Sequence, residues 1–329
     1  MLQGSSDSFT LKVKEQLVKR LADKVREGLS YLDTIDYKSI VDSLSTVETI
    51  YLAYSGPSFS EAAAYIMYWV FKHLAGDKNV ELHTLDGLMY HIVAYTNKTT
   101  NSLVVFFGEH GSENSLLRLT DTLSVMRIPL IGFSGPMPPQ VLEKYDLHLV
   151  YEHGFSFPGL ELVVASSILG LLVAKEIIGK KNPRVNRLLS ELRSIDENVI
   201  ASLLERYLEK LWFISDVLTN SKRTIILYSP TLRTIIPIAR TLWLKKAANM
   251  TDYPLPSFHP LLLMNEGIVR NHVVLVLATS VEELLLRELK LRLSQISLKP
   301  EYEEIVFATD PLSAPIYMFI LLEYLFLSF

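Results

Sequence analysis

Two stretches of the chain put small hydroxyls, glycine and titratable groups where an anionic or hydroxyl-rich ligand would be held. Ser55-Gly56-Pro57-Ser58 joins a β-rich apolar run, 49–54, to a helical run from Glu61 to Leu74. Free backbone N–H groups at that helix start, together with Ser55 and Ser58, suit a phosphate or a sugar hydroxyl. Alternatively, Gly56 and Pro57 only shape the turn, and Ser58 with Glu61 forms a capping box. The second stretch is Gly108-Glu109-His110-Gly111-Ser112-Glu113-Asn114. Gly111 allows close backbone approach, His110 and Ser112 can touch a ligand, and Glu109 and Glu113 bring acids that oppose a phosphate. Other constellations are weaker. Glu152 and His153 are adjacent after a strand and so point in different directions. His83 and His91 lie eight apart and are read as having no third ligand nearby, so no metal site is expected. There is no cysteine, which excludes disulfides, zinc–thiolate sites and thiol nucleophiles. Neither a Walker loop nor G-x-G-x-x-G occurs.

These loops need strands behind them. Continuous apolar runs at Ser102–Phe107, Pro129–Phe133 and Leu147–Tyr151 read as strands, with helices at Ser115–Met126 and Pro158–Ile178. The polar, basic segment 179–196 is the linker candidate. The pattern then repeats after a helix at Val199–Leu218. Ile225–Ser229 echoes Tyr51–Ser55, with Tyr54 and Tyr228 174 residues apart, and Val273–Leu277 echoes Leu103–Phe107 at an offset of 170. Ser280 and Glu283 read as a second capping box. Two strand–loop pairs at nearly one offset indicate duplication. Strands alternating with helices imply parallel sheets covered on both faces, with ligands at the carboxyl ends of the strands. The fold expected is α/β, two tandem doubly wound (flavodoxin-like) parallel-sheet domains with flanking helices. The expected division is 1–45 as N-terminal helices, 46–180 as a first domain, and 181–329 as a linker helix and second domain, with function sited where the lobes meet.

The bulk numbers agree. At 329 residues, 49% hydrophobic and 21% charged, each half can bury a core. A net charge of -4 gives no basic surplus for nucleic acid. The run Leu312–Phe329 is apolar enough for a tail anchor, but Pro315 and Glu323 interrupt it, so a buried helix is expected and no membrane partner. The location expected is cytoplasmic.

A duplicated pair of such loops resembles the sugar isomerase (SIS) domain family in its double-domain form. Similar proteins include the archaeal phosphoglucose/phosphomannose isomerases and the isomerase domain of glucosamine-6-phosphate synthase. The match spans roughly residues 45–329. Ser55-Gly56-Pro57-Ser58 stands at the family's first Gly/Ser turn. Of the S-x-S-G-E-T phosphate loop, the stretch Gly108–Glu113 keeps only the glycine. Glu161-Leu162-Val163-Val164-Ala165-Ser166-Ser167 echoes E-x-x-V-A-S-T, which gives Ser166 a place beside substrate. The loop 254–260 supplies His259 at the family's ring-opening histidine. Lys245 and Lys246 stand where relatives often carry the catalytic glutamate, leaving Glu266, Glu109 or Glu113 to replace it. The resemblance implies an aldose–ketose isomerase for a phosphorylated monosaccharide, with altered catalytic motifs, or a non-catalytic sugar-phosphate-binding regulator or sensor. It implies no cofactor and a homodimer.

Overall fold

The computed structural model describes residues 4–329 except 35, 57–58, 95–100, 109–112, 135–138, 144–146, 151–158, 179–181, 265, 297–298 and 329; side chains 4–14, 32, 34, 93–94, 113, 141–142, 147–150, 259, 262–264 and 266 are also outside the description. The chain divides into two compact units, Lys24–Ser194 and Ile195–Phe329 with Met1–Asp23.

The first unit holds the later part of α1 (Gly4–Thr34) and α2 (Tyr37–Thr46), followed by alternating strands and helices. These are β1 (Thr49–Tyr54), α3 (Phe59–Leu74), β2 (Asn79–Thr84), α4 (Leu85–Ala94), β3 (Ser102–Phe107) and α5 (Glu113–Met126). They continue as β4 (Leu130–Ser134), α6 (Pro139–Leu142), β5 (Leu147–Val150), α7 (Leu160–Ile178) and α8 (Pro183–Arg193). The strands form one parallel sheet in the order β2-β1-β3-β4-β5, the flavodoxin-like order. Alternation along each strand sends Tyr51, Ala53, Val104 and Phe106 to one face, where Leu85, Leu88, Leu116 and Leu119 of α4 and α5 cover them. Helices α3 and α7 pack together over the other face. Helix α1 approaches α7 closely at Gly28, where a Cβ would lie 2.4 Å from the Glu161 carbonyl oxygen. Lys24 Nζ lies 3.8 Å from the buried Glu161 carboxylate.

The segment expected as a linker contains α8. Asn182 caps it, Pro183 opens it, and Val185, Leu188, Leu189 and Leu192 bury one stripe.

The second unit holds α9 (Glu197–Thr219), β6 (Thr224–Tyr228), α10 (Ile236–Lys245), β7 (Met250–Pro254), α11 (Leu255–Met264), β8 (Val273–Thr279), α12 (Glu283–Gln295), β9 (Glu301–Phe307) and α13 (Ala314–Ser328). Its sheet is parallel, in the order β7-β6-β8-β9. The duplication is visible in register. Tyr54 pairs with Thr84 and Phe107, and Tyr228 pairs with Pro254 and Leu277. Asn101 and Asn271, again 170 apart, both hold left-handed backbone just before β3 and β8, with φ of 63° and 59°. Asparagine tolerates that region better than most residues. Two tandem doubly wound domains with flanking helices are therefore the architecture.

Helix α13 is buried along most of its 15 residues, which span about 22 Å at 1.5 Å each. No described helix is long and apolar enough to cross a membrane.

At the edge strand β9, the Glu304 carboxylate accepts from Lys290 Nζ and Tyr302 Oη, both at 2.7 Å. Partial burial pushes its pKa up, but these bonds and the charges of Lys290 and Lys210 win and hold it below its ordinary value of 4.5. A carboxyl lowered in the folded state stabilises above its unfolded pKa, and that contribution is lost as pH falls through the folded value. Urea unfolding is therefore expected to show wild type losing stability as pH drops below about 4.5, by more than Glu304→Gln loses. Equal losses in the two proteins would refute the assignment.

Candidate functional site

In a doubly wound sheet the ligand crevice opens at the carboxyl ends of the strands, where the strand order reverses. In the first sheet that point lies between β1 and β3. Ser55 immediately follows β1 there. It is buried, and its N–H donates to Phe107 O at 3.0 Å. Gly56 follows, exposed, with φ of 89°. That backbone region strains any residue bearing a Cβ, so the turn requires glycine. Ser60, in the first turn of α3, donates its hydroxyl to Ser55 O at 2.5 Å, which fixes the chain's entry into the helix. At the end of β3, Gly108 N donates to Phe133 O at 2.8 Å. Ser58, His110, Gly111 and Ser112 lie outside the described residues, as does the capping of α3 by Ser58.

The second sheet has its matching point between β6 and β8, where Ser229 N donates to Leu277 O at 2.9 Å, as Ser55 does to Phe107. Here the donors converge on one internal acid. Glu282 Oε2 accepts from Ser229 Oγ at 2.6 Å, Thr279 Oγ1 at 2.7 Å and Thr279 N at 3.0 Å. Ser229 Oγ also accepts from Thr279 N at 3.0 Å. The capping box is thus Thr279 with Glu282, one residue earlier than the expected Ser280–Glu283 pair. Strand β8 runs two residues past the apolar run Val273–Leu277, so Thr279 becomes the last strand residue and the cap. Beneath it, burial pushes the Tyr228 phenol up, while Arg233, donating to its oxygen at 3.1 Å, opposes the shift.

The family-derived positions fall as follows. Ser166 is buried in α7 and donates to Ala63 O at 2.7 Å, so its hydroxyl joins α7 to α3. Glu161 and Val164 of the same motif meet α1. His259 sits not on a loop but inside α11, even though Pro260 lies within that helix. Leu255 and Phe258, three apart and fully buried, anchor α11 to the sheet, and that stripe overrides the prolines. Glu266 opens a 3-10 helix, Glu266–Val269. The side chains of His259 and Glu266 are outside the described residues.

Two features escaped the sequence. At the carboxyl end of β9 a cavity of about 270 Å³ is lined by Ser202, Arg206, Tyr207, Phe307, Thr309 and Tyr317. Residues so far apart in the chain leave no linear signal. The other corrects the view that His83 and His91 lack a third ligand: Glu81 stands 3.2 Å from both.

Each unit thus has its own parallel, doubly wound sheet with its own β–α switch point. No protein-family model matches the chain, and no curated protein matches its sequence. Solved structures do match. The C-terminal domain of glucosamine-fructose-6-phosphate aminotransferase from Francisella tularensis superposes with TM-score 0.66 at 17% identity, covering 95% of this chain and 93% of that one. A candidate phosphosugar isomerase from Clostridium difficile 630 gives 0.65 at 17%, covering 94% and 93%. Glucosamine-6-phosphate deaminase from Thermotoga maritima gives 0.58 at 14%, covering 94% and 92%. The resemblance drawn from the strand-end motifs thus holds for the fold.

Proposed function

We propose that the chain binds a phosphorylated monosaccharide at the β1–β3 switch point of its first unit, as a regulatory or sensor protein that does not convert its ligand. The observation that carries this is the contrast between the two equivalent switch points. The first presents a turn at exposed Gly56, after buried Ser55 and before the N-terminus of a 16-residue helix, a favourable place for phosphate. In the second, the acid Glu282 already takes the donors that an anionic ligand would use. Ser166 and Ser229 each donate their hydroxyl inside the fold, which supports a reading in which neither supplies a catalytic proton. The names of the structures sharing this fold support a phosphosugar ligand, and the altered phosphate loop supports loss of turnover.

The test is thermal unfolding of the full chain with glucose-6-phosphate, fructose-6-phosphate, mannose-6-phosphate and glucosamine-6-phosphate, followed by an assay for interconversion. One of these, at a hundred times its Kd, should stabilise the protein by about 2.7 kcal/mol. Gly56→Val should weaken that ligand at least tenfold. No shift with any sugar phosphate would overturn the proposal. Turnover that disappears in His259→Ala would replace it with aldose–ketose isomerisation, His259 opening the ring and Glu266 moving the proton. Light scattering would test the homodimer that the family resemblance implies.

A further inference from the structure

We propose that Glu81, His83 and His91 form a binding site for a divalent transition-metal ion, zinc by its ligand chemistry, on the edge of the first sheet. Strand β2 is an edge strand. Glu81 and His83 are two apart on it and therefore share a face. They stand in register with Tyr51 and Ala53, whose side chains enter the core beneath α4, so this is the face α4 covers. His91, in the last turns of α4, meets them there. Glu81 Oε2 lies 3.2 Å from His83 Nε2 and 3.2 Å from His91 Nε2, and one donor atom from each of the three residues lies within 4.8 Å of the others.

Two of the three separations fit a metal, and the third is at most 4.8 Å. Zinc bonded to imidazole nitrogen and carboxylate oxygen at about 2.0–2.1 Å in a tetrahedron holds its ligands about 3.3–3.4 Å apart. Both Glu81–His distances are within about 0.2 Å of that edge. Two imidazoles and one carboxylate form a borderline donor set that favours zinc and its neighbours over calcium or magnesium, which prefer all-oxygen shells. Three protein ligands leave a fourth position for water. Side-chain exposures of 31%, 21% and 27% for Glu81, His83 and His91 give an ion access without immersing the site in solvent.

The surroundings hold the ligands in place. Asn79 Nδ2 donates to Glu81 Oε1 at 3.1 Å, leaving Oε2 to face the histidines. The buried Tyr51 ring packs against both imidazoles, with centroids 6.2 Å and 5.7 Å away, and the imidazole centroids lie 4.7 Å apart. An ion here would join the edge strand to α4. None of these residues belongs to the proposed sugar-phosphate site, so either proposal can fail alone.

The experiment uses the full chain without a histidine tag, stripped with chelator and dialysed. It is titrated with zinc chloride by calorimetry and with cobalt chloride by visible absorption. One ion per chain is expected, with cobalt bands of four-coordinate strength and a rise in the thermal midpoint. Outer-shell partners of metal sites are worth 10- to 100-fold in affinity, so losing a direct ligand in His83→Ala or His91→Ala should cost at least about 100-fold. Glu81→Gln should weaken binding and leave far-UV circular dichroism unchanged. His83→Gln and His91→Gln decide the matter if an alanine variant misfolds. Failure to bind one ion per chain, or binding unchanged in His83→Gln/His91→Gln, would overturn the proposal.

Discussion

Replacing Glu282 with alanine is expected to destabilise the second unit by about 2–4 kcal/mol, because one carboxylate oxygen satisfies three donors at the end of β8. A hydrogen bond to a charged acceptor contributes about 1.5–3 kcal/mol net, and the three share one oxygen, so they do not simply add. The larger part of the cost lies in what remains. Ser229 and Thr279 are fully buried, and their hydroxyls would lose the acceptor that justified burying them. Glu282→Gln separates charge from geometry. Its amide oxygen can occupy the same point and accept from the same donors, so a loss of only about 1–2 kcal/mol is expected. Urea unfolding of the three proteins checks this. If alanine and glutamine variants lose the same amount, the carboxylate oxygen is not the organising acceptor, and the picture of a self-filled switch point fails.

That lock also shows what a linear sequence can reveal. A threonine and a glutamate three apart can be read as a cap, but the participation of Ser229, 50 residues away, needs the β6–β8 register. The same distinction runs through the fold. Strands β1, β3, β4, β6 and β8 are buried along nearly their whole length and announce themselves as apolar runs. Of the four edge strands, β5 is read from its apolar run, whereas β2, β7 and β9 are half-exposed and read as polar stretches such as Asn79-Val80-Glu81-Leu82-His83-Thr84. An edge strand has one pairing neighbour and less helix over it, so its side chains need not be apolar, and in these three they are not. The histidine cluster was hidden for the same reason. Its carboxylate lies on one of those unrecognised strands, and only the following helix brings His91 back over it. The Ser55–Gly56 turn was legible because glycine after a buried strand is a local backbone requirement. Helix α8 was legible in principle through Val185, Leu188, Leu189 and Leu192, but its basic residues and Pro183 masked the stripe.

The sharpest conflict between local signal and tertiary packing is α11, and it yields the second large expected effect. Pro254, Pro256 and Pro260 argue for a loop, yet Leu255–Met264 is helical. Pro256 sits in the first turn, where a missing N–H costs nothing. Pro260 lies deeper, where it removes a bond to the preceding turn and crowds a carbonyl. The helix must then be held by what it buries. Phe258 is fully buried among Leu227, Val274, Val276 and Leu286, with its ring 5.5 Å from that of Tyr253. Truncating it to alanine is expected to cost about 3–5 kcal/mol, the range for a fully buried phenylalanine. Pro260→Ala should act in the opposite direction. Proline in a helix interior is about 3 kcal/mol worse than alanine, but proline also stiffens the unfolded chain, so a net gain of about 1–2 kcal/mol is expected. Opposite shifts in the denaturation midpoint would show that burial, not local propensity, makes this segment a helix. A destabilised Pro260→Ala variant would instead mean that the proline is shaping the backbone that carries His259.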